Sequence, residues 1–299
     1  MQVLLAVFSE AFATVISKSI NAPLERIRIV LQTQNTCNNL GSTIFDSTSE
    51  CISRIYAQQG ITAFWRGNFS HVVGSLLSNT FLLTCREALE SLFPKYDSKS
   101  QSLQYFLSGM GAKIFAGIFS LSLSYPLESI YSRLAADVGL KPKYLGLKDC
   151  LIKTISGANG FIGIFDGFSA SIIGLFPYRV VYFGLHDFFS RSNPLKEDKS
   201  KWGLLAKYLI AQLSSIAAFL ASYPFDTVMR RLQLQAASSK ADRAYNGVVD
   251  CFRKTIKNEG IAGFYRGVGF AIAIKVGISV SVLAYEEIAS ARNQRKTNS

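Results

Sequence analysis

The chain has 299 residues, 49% of them hydrophobic and only 17% charged, with 32 Lys and Arg against 20 Asp and Glu for a net charge of +12. A soluble domain of average composition carries roughly 25% charged residues, so the balance argues against a soluble fold. The cations lie between apolar runs and form no basic block with interleaved aromatics, which argues against nucleic acid as a partner.

The first residues, MQVLLAVFSEAFATVISKSI, lack the basic start of a cleavable signal and read as the beginning of an apolar helix over roughly 3–33. That helix ends on NAPLERIRIVLQ from Asn21. A polar connection with Arg54 and Gly60 leads to AFWRGN at Ala63 and a second apolar stretch over roughly 68–93. After a short linker at 94–102 the order repeats: an apolar run over roughly 104–136 with SYPLESIYSRLA from Ser124, a connection with Lys153 and Gly160, GIFDGF at Gly163, and an apolar run over roughly 168–191. A linker at 194–201 opens the third copy, with apolar runs over roughly 204–236 and 268–290, SYPFDTVMRRLQ from Ser222, Arg253, Gly260 and GFYRGV at Gly263.

Pro23, Pro126 and Pro224 thus recur about every hundred residues, and Cys51, Cys150 and Cys251 keep the same period. Self-similarity at a fixed period marks a repeat architecture. The pattern predicts an all-α membrane protein: a single domain over 1–299, built from repeats at 1–96, 97–196 and 197–299. Each repeat supplies two transmembrane helices and a short amphipathic helix, six spanning helices in all with pseudo-threefold symmetry. Each apolar stretch is long enough to cross a hydrocarbon core of about 30 Å.

Glu10, Lys18, Lys113 and Lys275 interrupt these stretches, and polar groups at such depth face a bundle interior or a wet cavity. Proline within a helix removes a backbone bond and kinks it, so three equivalent kinks predict a funnel closed at the proline end. Glu25, Glu128 and Asp226, each two residues after a proline, then lie near the constriction. The five cysteines, which include Cys37 and Cys85, hold no CxxC pair and read as reduced. No metal-ligand set or nucleophile arrangement is present; His71 and His186 have no companions in sequence, and no cofactor, covalent chemistry or enzyme activity is implied.

This arrangement resembles the mitochondrial carrier family over nearly the whole chain, through the repeated Pro-x-acid-x-x-base step and the aromatic-basic-Gly step. Within the family, ISKSINAPLERIRIVLQTQ, RLAADVG at Arg133, PYRVVYFG at Pro177 and YPFDTVMRRLQLQ at Tyr223 are similar to the branch that exchanges ADP for ATP. The resemblance implies a multi-pass antiporter of the mitochondrial inner membrane, or of the membrane of a mitochondrion-derived organelle, working by alternating access, monomeric, with cardiolipin at the matrix-side helix ends.

The resemblance also implies a substrate site at Lys18, Gly174, Leu175, Tyr178, Arg179, Ser222 and Arg230. Glycine at 174 would let an adenine approach the backbone. Gate residues carried over are Glu25, Arg28, Gln32, Glu128 and Asp226 at the proline end and Glu87, Asp187 and Glu286 at the other. Arg28 is expected to meet Asp226, Glu25 to face Tyr131, and Glu128 to face Met229.

Departures are large. The branch's contact arginines of helices two and six fall on Gly74 and Ile274, with Lys275 beside the latter. Gate bases become Tyr131 and Met229 at one end and Glu90, Ser190 and Ala289 at the other. Arg133 or Arg292 are the expected substitutes for the lost gate bases. Lys18 has two readings, cavity contact or a side chain snorkelling to an interface. Arg231 reads as a structural partner for an acid. A divergent carrier for another anion, and a degenerate carrier without tight coupling, remain alternatives.

Overall fold

The computed structural model describes residues 2–36, 45, 47–92, 94, 102–139, 142–157, 159–195, 198, 200–236 and 243–277, with the backbone alone at some helical positions, Glu10, Glu87 and Glu90 among them. Its long helices are α1 (Gln2–Thr33), α3 (Asn68–Glu90), α4 (Ser102–Ala136), α6 (Phe168–Ser192) and α7 (Lys201–Gln235). A last helix, α9, is described over 268–277. Short helices α2 (Thr48–Gln59), α5 (Leu147–Ile155) and α8 (Val248–Glu259) fill the connections, each followed by a single 3-10 turn. Helix is the only regular structure among the described residues.

Two segments, Gly160–Ser192 and Trp202–Gln235, are apolar enough to cross a membrane, with mean hydropathies of 1.5 and 1.6. Large apolar side chains are exposed along the bundle, including Phe12, Ile20, Leu77, Phe119, Phe188, Trp202 and Leu213. An exposed apolar surface of that extent suits lipid.

Pro23, Pro126 and Pro224 lie inside continuous helices. Each proline leaves the carbonyl four residues earlier without its helical donor. In the first repeat that carbonyl belongs to Ser19, and the Trp65 indole donates to it at 2.8 Å.

Helix α3 packs on α4 and α6 on α7, while α1, α4 and α7 touch one another in pairs. Their meeting is stapled by three buried guanidiniums. Arg133 donates to the Gln233 carbonyl at 2.8 Å, to Thr154 at 2.7 Å and to the Gly163 carbonyl at 3.0 Å. Arg231, one repeat on, donates to the Gln32 carbonyl at 3.2 Å, to Thr255 at 3.0 Å and to Glu259. Arg26 donates to the Ala135 carbonyl at 3.0 Å, to Gln59 at 2.6 Å and to the Ala63 carbonyl.

Ala135, Gln233 and Gln32 each lie nine residues after a proline, so every arginine grips the helix end of the next repeat and the ring closes on itself. Arg133 and Arg231 sit seven residues after their prolines. The equivalent residue in the first repeat is Val30, and Arg26, one turn earlier, takes its place.

The aromatic-x-Gly step explains the remaining close approach. Gly167 has φ of +89°, and a Cβ there would lie 2.7 Å from the Met229 carbonyl and 3.0 Å from the Tyr125 hydroxyl. Only glycine allows both that backbone conformation and that contact between α6 and α7.

Candidate functional site

Beside the arginine ring, acids and bases from three helices interlock. Arg28 donates to Asp226, and Gln32 Nε2 donates to the same carboxylate at 2.9 Å. The Arg28 guanidinium also lies over the Phe219 and Tyr223 rings, 5.3 Å from each centroid. These contacts use two retained motif residues and an aromatic bed on α7.

Glu128 does not face Met229. Arg230 donates to Glu128 at 3.3 Å and to the Ser132 hydroxyl, and its Nε lies 3.9 Å from Asp226. Met229 is buried instead among Tyr125, Ala170, Val228 and Phe264, where an apolar side chain packs well. The lost base is thus replaced by its neighbour, whose guanidinium is long enough to reach across. Arg133 is not a substitute, because the ring consumes its donors. Arg292 lies outside the described residues.

Glu25 is buried and 4.0 Å from Arg28 on its own helix. Tyr131 does not bond it; the phenol ring stacks on His71 with centroids 4.3 Å apart, and its hydroxyl has no hydrogen-bond partner among the described residues. The ionisable groups acting on Glu25 are those of His71, Lys18, Arg28 and Arg230.

Above this layer Lys18 Nζ lies 2.8 Å from His71 Nε2, so the ammonium crosses from α1 to α3 and does not snorkel outward. Lys275 turns inward from α9: its Nζ is 4.7 Å from the Phe219 centroid and 5.9 Å from that of Tyr178, and it donates to Ser215 at 3.4 Å. Tyr178 stacks parallel to Tyr182 at 6.2 Å. Lys18, Arg28 and Glu25 are among the charged groups that act on Lys275 through space.

Other predicted site residues lie elsewhere. Gly174 admits Phe225 of α7, since a Cβ at 174 would lie 2.9 Å from the Phe225 Cβ. Leu175 and Arg179 lean on α4, where a Cβ at Gly117 would lie 3.9 Å and 3.6 Å from them. Ser222 donates to the Phe219 carbonyl of its own helix at 3.1 Å. Gly74 packs on α4, with Leu127 Cβ 3.3 Å from where its own Cβ would be, and Ile274 is buried.

At the opposite end Asp187 pairs with Arg191 one turn along α6 at 2.8 Å, both side chains well exposed. The side chain of Glu87, and Glu286 and Ala289 entirely, lie outside the described residues, as does the Glu10 side chain. Lys113 crosses to α6 and sits 4.2 Å from the Phe183 centroid.

A family profile described as "Mitochondrial carrier protein" matches residues 2–97, 98–194 and 200–295. The chain belongs to the mitochondrial carrier family. It is a transporter and not an enzyme. This carrier is 35% identical over 281 residues to "ADP,ATP carrier protein" of Parachlorella kessleri, covering 92% of this chain and 81% of that one. It is 34% identical to "ADP/ATP translocase 3" of Bos taurus, covering 92% and 93%, and 32% identical to "ADP/ATP translocase 4" of Mus musculus, covering 92% and 86%.

His71 escaped the sequence reading because a lone histidine has no motif. Its signal was position: it lies three residues before Gly74, on the same face of α3 where the resemblance implies a cation.

Proposed function

We propose that this carrier exchanges ADP for ATP across the mitochondrial inner membrane, as a monomer, by alternating access. The observation that carries the reading is the inward convergence of Lys18, Lys275 and Tyr178 above a constriction held by Arg28 and Arg230. ADP and ATP carry about three and four negative charges and must exchange hydration for cations and donors inside a membrane. Lys18 and Lys275 supply the charge, and Tyr178 supplies a ring for the adenine. Arg179, Leu175 and Gly174 flank that ring on α6, and Ser222 lies toward the constriction on α7. The names of the relatives support the same substrates.

Arg230 links binding to opening. Its guanidinium holds Glu128 across the closed end, and an incoming phosphate competes for the same donors. A phosphate that draws Arg230 away loosens the α4–α7 contact while the nucleotide is held. The remaining lock is Arg28, Asp226 and Gln32. Exchange that moves one net charge responds to the membrane potential by about 2.3 kcal/mol per 100 mV. We place a cardiolipin headgroup at the matrix side in a cleft of about 460 Å³ lined by Gln58, Gln59, Arg66, Pro142 and Leu145, where a lipid phosphate shares Arg66 with its partner Asp137 at 2.6 Å.

Uptake of labelled ADP into ATP-loaded liposomes, with and without a potential, tests the reading. Lys18→Ala and Arg230→Ala each remove a charge-assisted contact of about 1.5–3 kcal/mol, so both should reduce uptake by at least tenfold. Unchanged uptake in both variants would discard this site. A carrier for a smaller anion is the second reading, favoured because Gly74 and Ile274 place packing where two phosphate-binding cations are expected. Exchange of phosphate or a dicarboxylate, with none of ADP, would establish it.

A further inference from the structure

The Lys18–His71 contact has a proton count built into it. A direct 2.8 Å contact between two nitrogens needs one N–H and one lone pair. An ammonium has three donors and no acceptor, and an imidazolium has two donors and no acceptor. The pair therefore holds one proton fewer than its two fully charged members would. Its surroundings are buried and net cationic: Lys18 and Arg28 on α1 and Arg230 on α7 outnumber Glu25, and Tyr131 stacks on it from α4, so an imidazolium needs an added anion beside it. His71 Nδ1 is buried with no hydrogen-bond partner among the described residues, so one ring nitrogen is uncommitted.

We infer that His71 is a second anion contact, one that takes up a proton when a phosphate-bearing substrate binds at Lys18. A phosphate group near Lys18 accepts from the ammonium and breaks the contact to Nε2. The freed lone pair then binds a proton from water, and the resulting imidazolium donates to the anion through Nε2. No bond to the substrate forms or breaks; one proton enters on binding and leaves on release. His71 thereby supplies, one turn from Gly74, a cation on α3 that exists only while the anion is present. Each loaded crossing then carries one negative charge less, while an exchange in which both anions bring a proton moves the same net charge as before. This inference rests on the nucleotide reading only for the choice of ligand; its chemistry needs any polyphosphate.

Calorimetric titration of the detergent-solubilised carrier in two buffers of different ionisation enthalpy counts the protons. At about pH 8 the terminal phosphate of ADP is almost fully ionised, its second pKa being near 6, so that ligand contributes little. Pyrophosphate still holds its last proton and can release it on meeting cations, so uptake seen with either anion comes from the protein. ADP and inorganic pyrophosphate are titrated in parallel. The expected result is uptake approaching one proton per bound anion, with affinity falling up to about tenfold per pH unit as pH rises through this range. His71→Gln or His71→Asn, whichever keeps the wild-type melting temperature, should bind more weakly with no proton uptake and a flat pH profile. If neither variant folds, the wild-type proton count decides.

ADP binding without proton uptake, or uptake unchanged in the folded variant, overturns the role of His71 and leaves the nucleotide reading standing. Pyrophosphate binding with proton uptake, but no binding of ADP, supports His71 and rejects the nucleotide. Failure of both anions to bind overturns both.

Discussion

Two neighbouring layers at the closed end of the bundle have diverged to different degrees. The arginine ring is complete in all three repeats, although the arginine of the first repeat has moved by a turn. The acid–base layer beside it keeps one motif pair, Arg28 with Asp226, and has rebuilt a second through Arg230, while the one ion pair of Glu25 among the described residues is the 4.0 Å approach of Arg28. The difference follows from the acceptors. Ring arginines grip backbone carbonyls, which no substitution can remove, so a displaced donor still finds its acceptor. A side-chain pair needs both partners, and one change breaks it.

That comparison predicts where the largest loss lies. Arg231→Ala should be the most destabilising change in the ring, because it leaves Glu259, only 7% exposed, with Arg266 at 3.4 Å as its remaining cation. Removing one partner of a buried ion pair is worth about 3–5 kcal/mol, and the Arg266 contact puts the loss at the lower end. Arg133→Ala strands carbonyls and a hydroxyl but no carboxylate, so it should cost about 1.5–3 kcal/mol. Melting in detergent orders the two. A larger shift for Arg133→Ala would refute the distinction between carbonyl and carboxylate acceptors.

Next in size are changes in the acid–base layer. Arg28→Gln leaves Asp226 with Gln32 and the distant Arg230, and weakens the closed end more than the fold. Stability should fall by about 1–3 kcal/mol, while unidirectional leak from loaded liposomes rises. Met229→Lys restores the third motif base on paper, yet it should destabilise by a similar amount. Its side chain would enter the apolar cluster of Tyr125, Ala170 and Phe264, while Arg230 already holds Glu128. A stabilised Met229→Lys protein would mean that Arg230 is a poor replacement.

These outcomes mark what the sequence made legible. The all-α repeat architecture was written in the recurrence of Pro23, Pro126 and Pro224 with their glycines, because turns and kinks demand those residue types. Arg28 with Asp226 was legible because both partners kept their motif positions. Arg230 was not, because position-by-position matching ignores that a guanidinium reaches a full turn beyond its own Cα. The packing of Gly174 on Phe225 depends on how closely α6 approaches α7, which no single segment encodes. The stacking of His71 on Tyr131 joins residues sixty positions apart in different repeats.

The smallest effect extends the comparison to the amphipathic helices. Cys51, Cys150 and Cys251 are fully buried there, each beside a ring guanidinium. Burial pushes the Cys51 and Cys150 thiols up to about 11 and that of Cys251 up to about 12, against the opposing pull of Arg26, Arg133 and Arg231. A free cysteine titrates near 8.5 and reacts as the thiolate. Near pH 8 the shift alone should slow alkylation by roughly two orders of magnitude, and burial should slow it further. Raising the pH should speed labelling about tenfold per unit until the thiol titrates, with Cys251 last. Mass spectrometry of a Cys37→Ser, Cys85→Ser carrier reads this directly. Arg133→Ala should make Cys150 more reactive despite the loss of a neighbouring cation, because an opened ring exposes the thiol. Unchanged or slower Cys150 labelling would mean that the arginine acts on the thiol only through its charge, and that the ring does not hold α5 against the bundle.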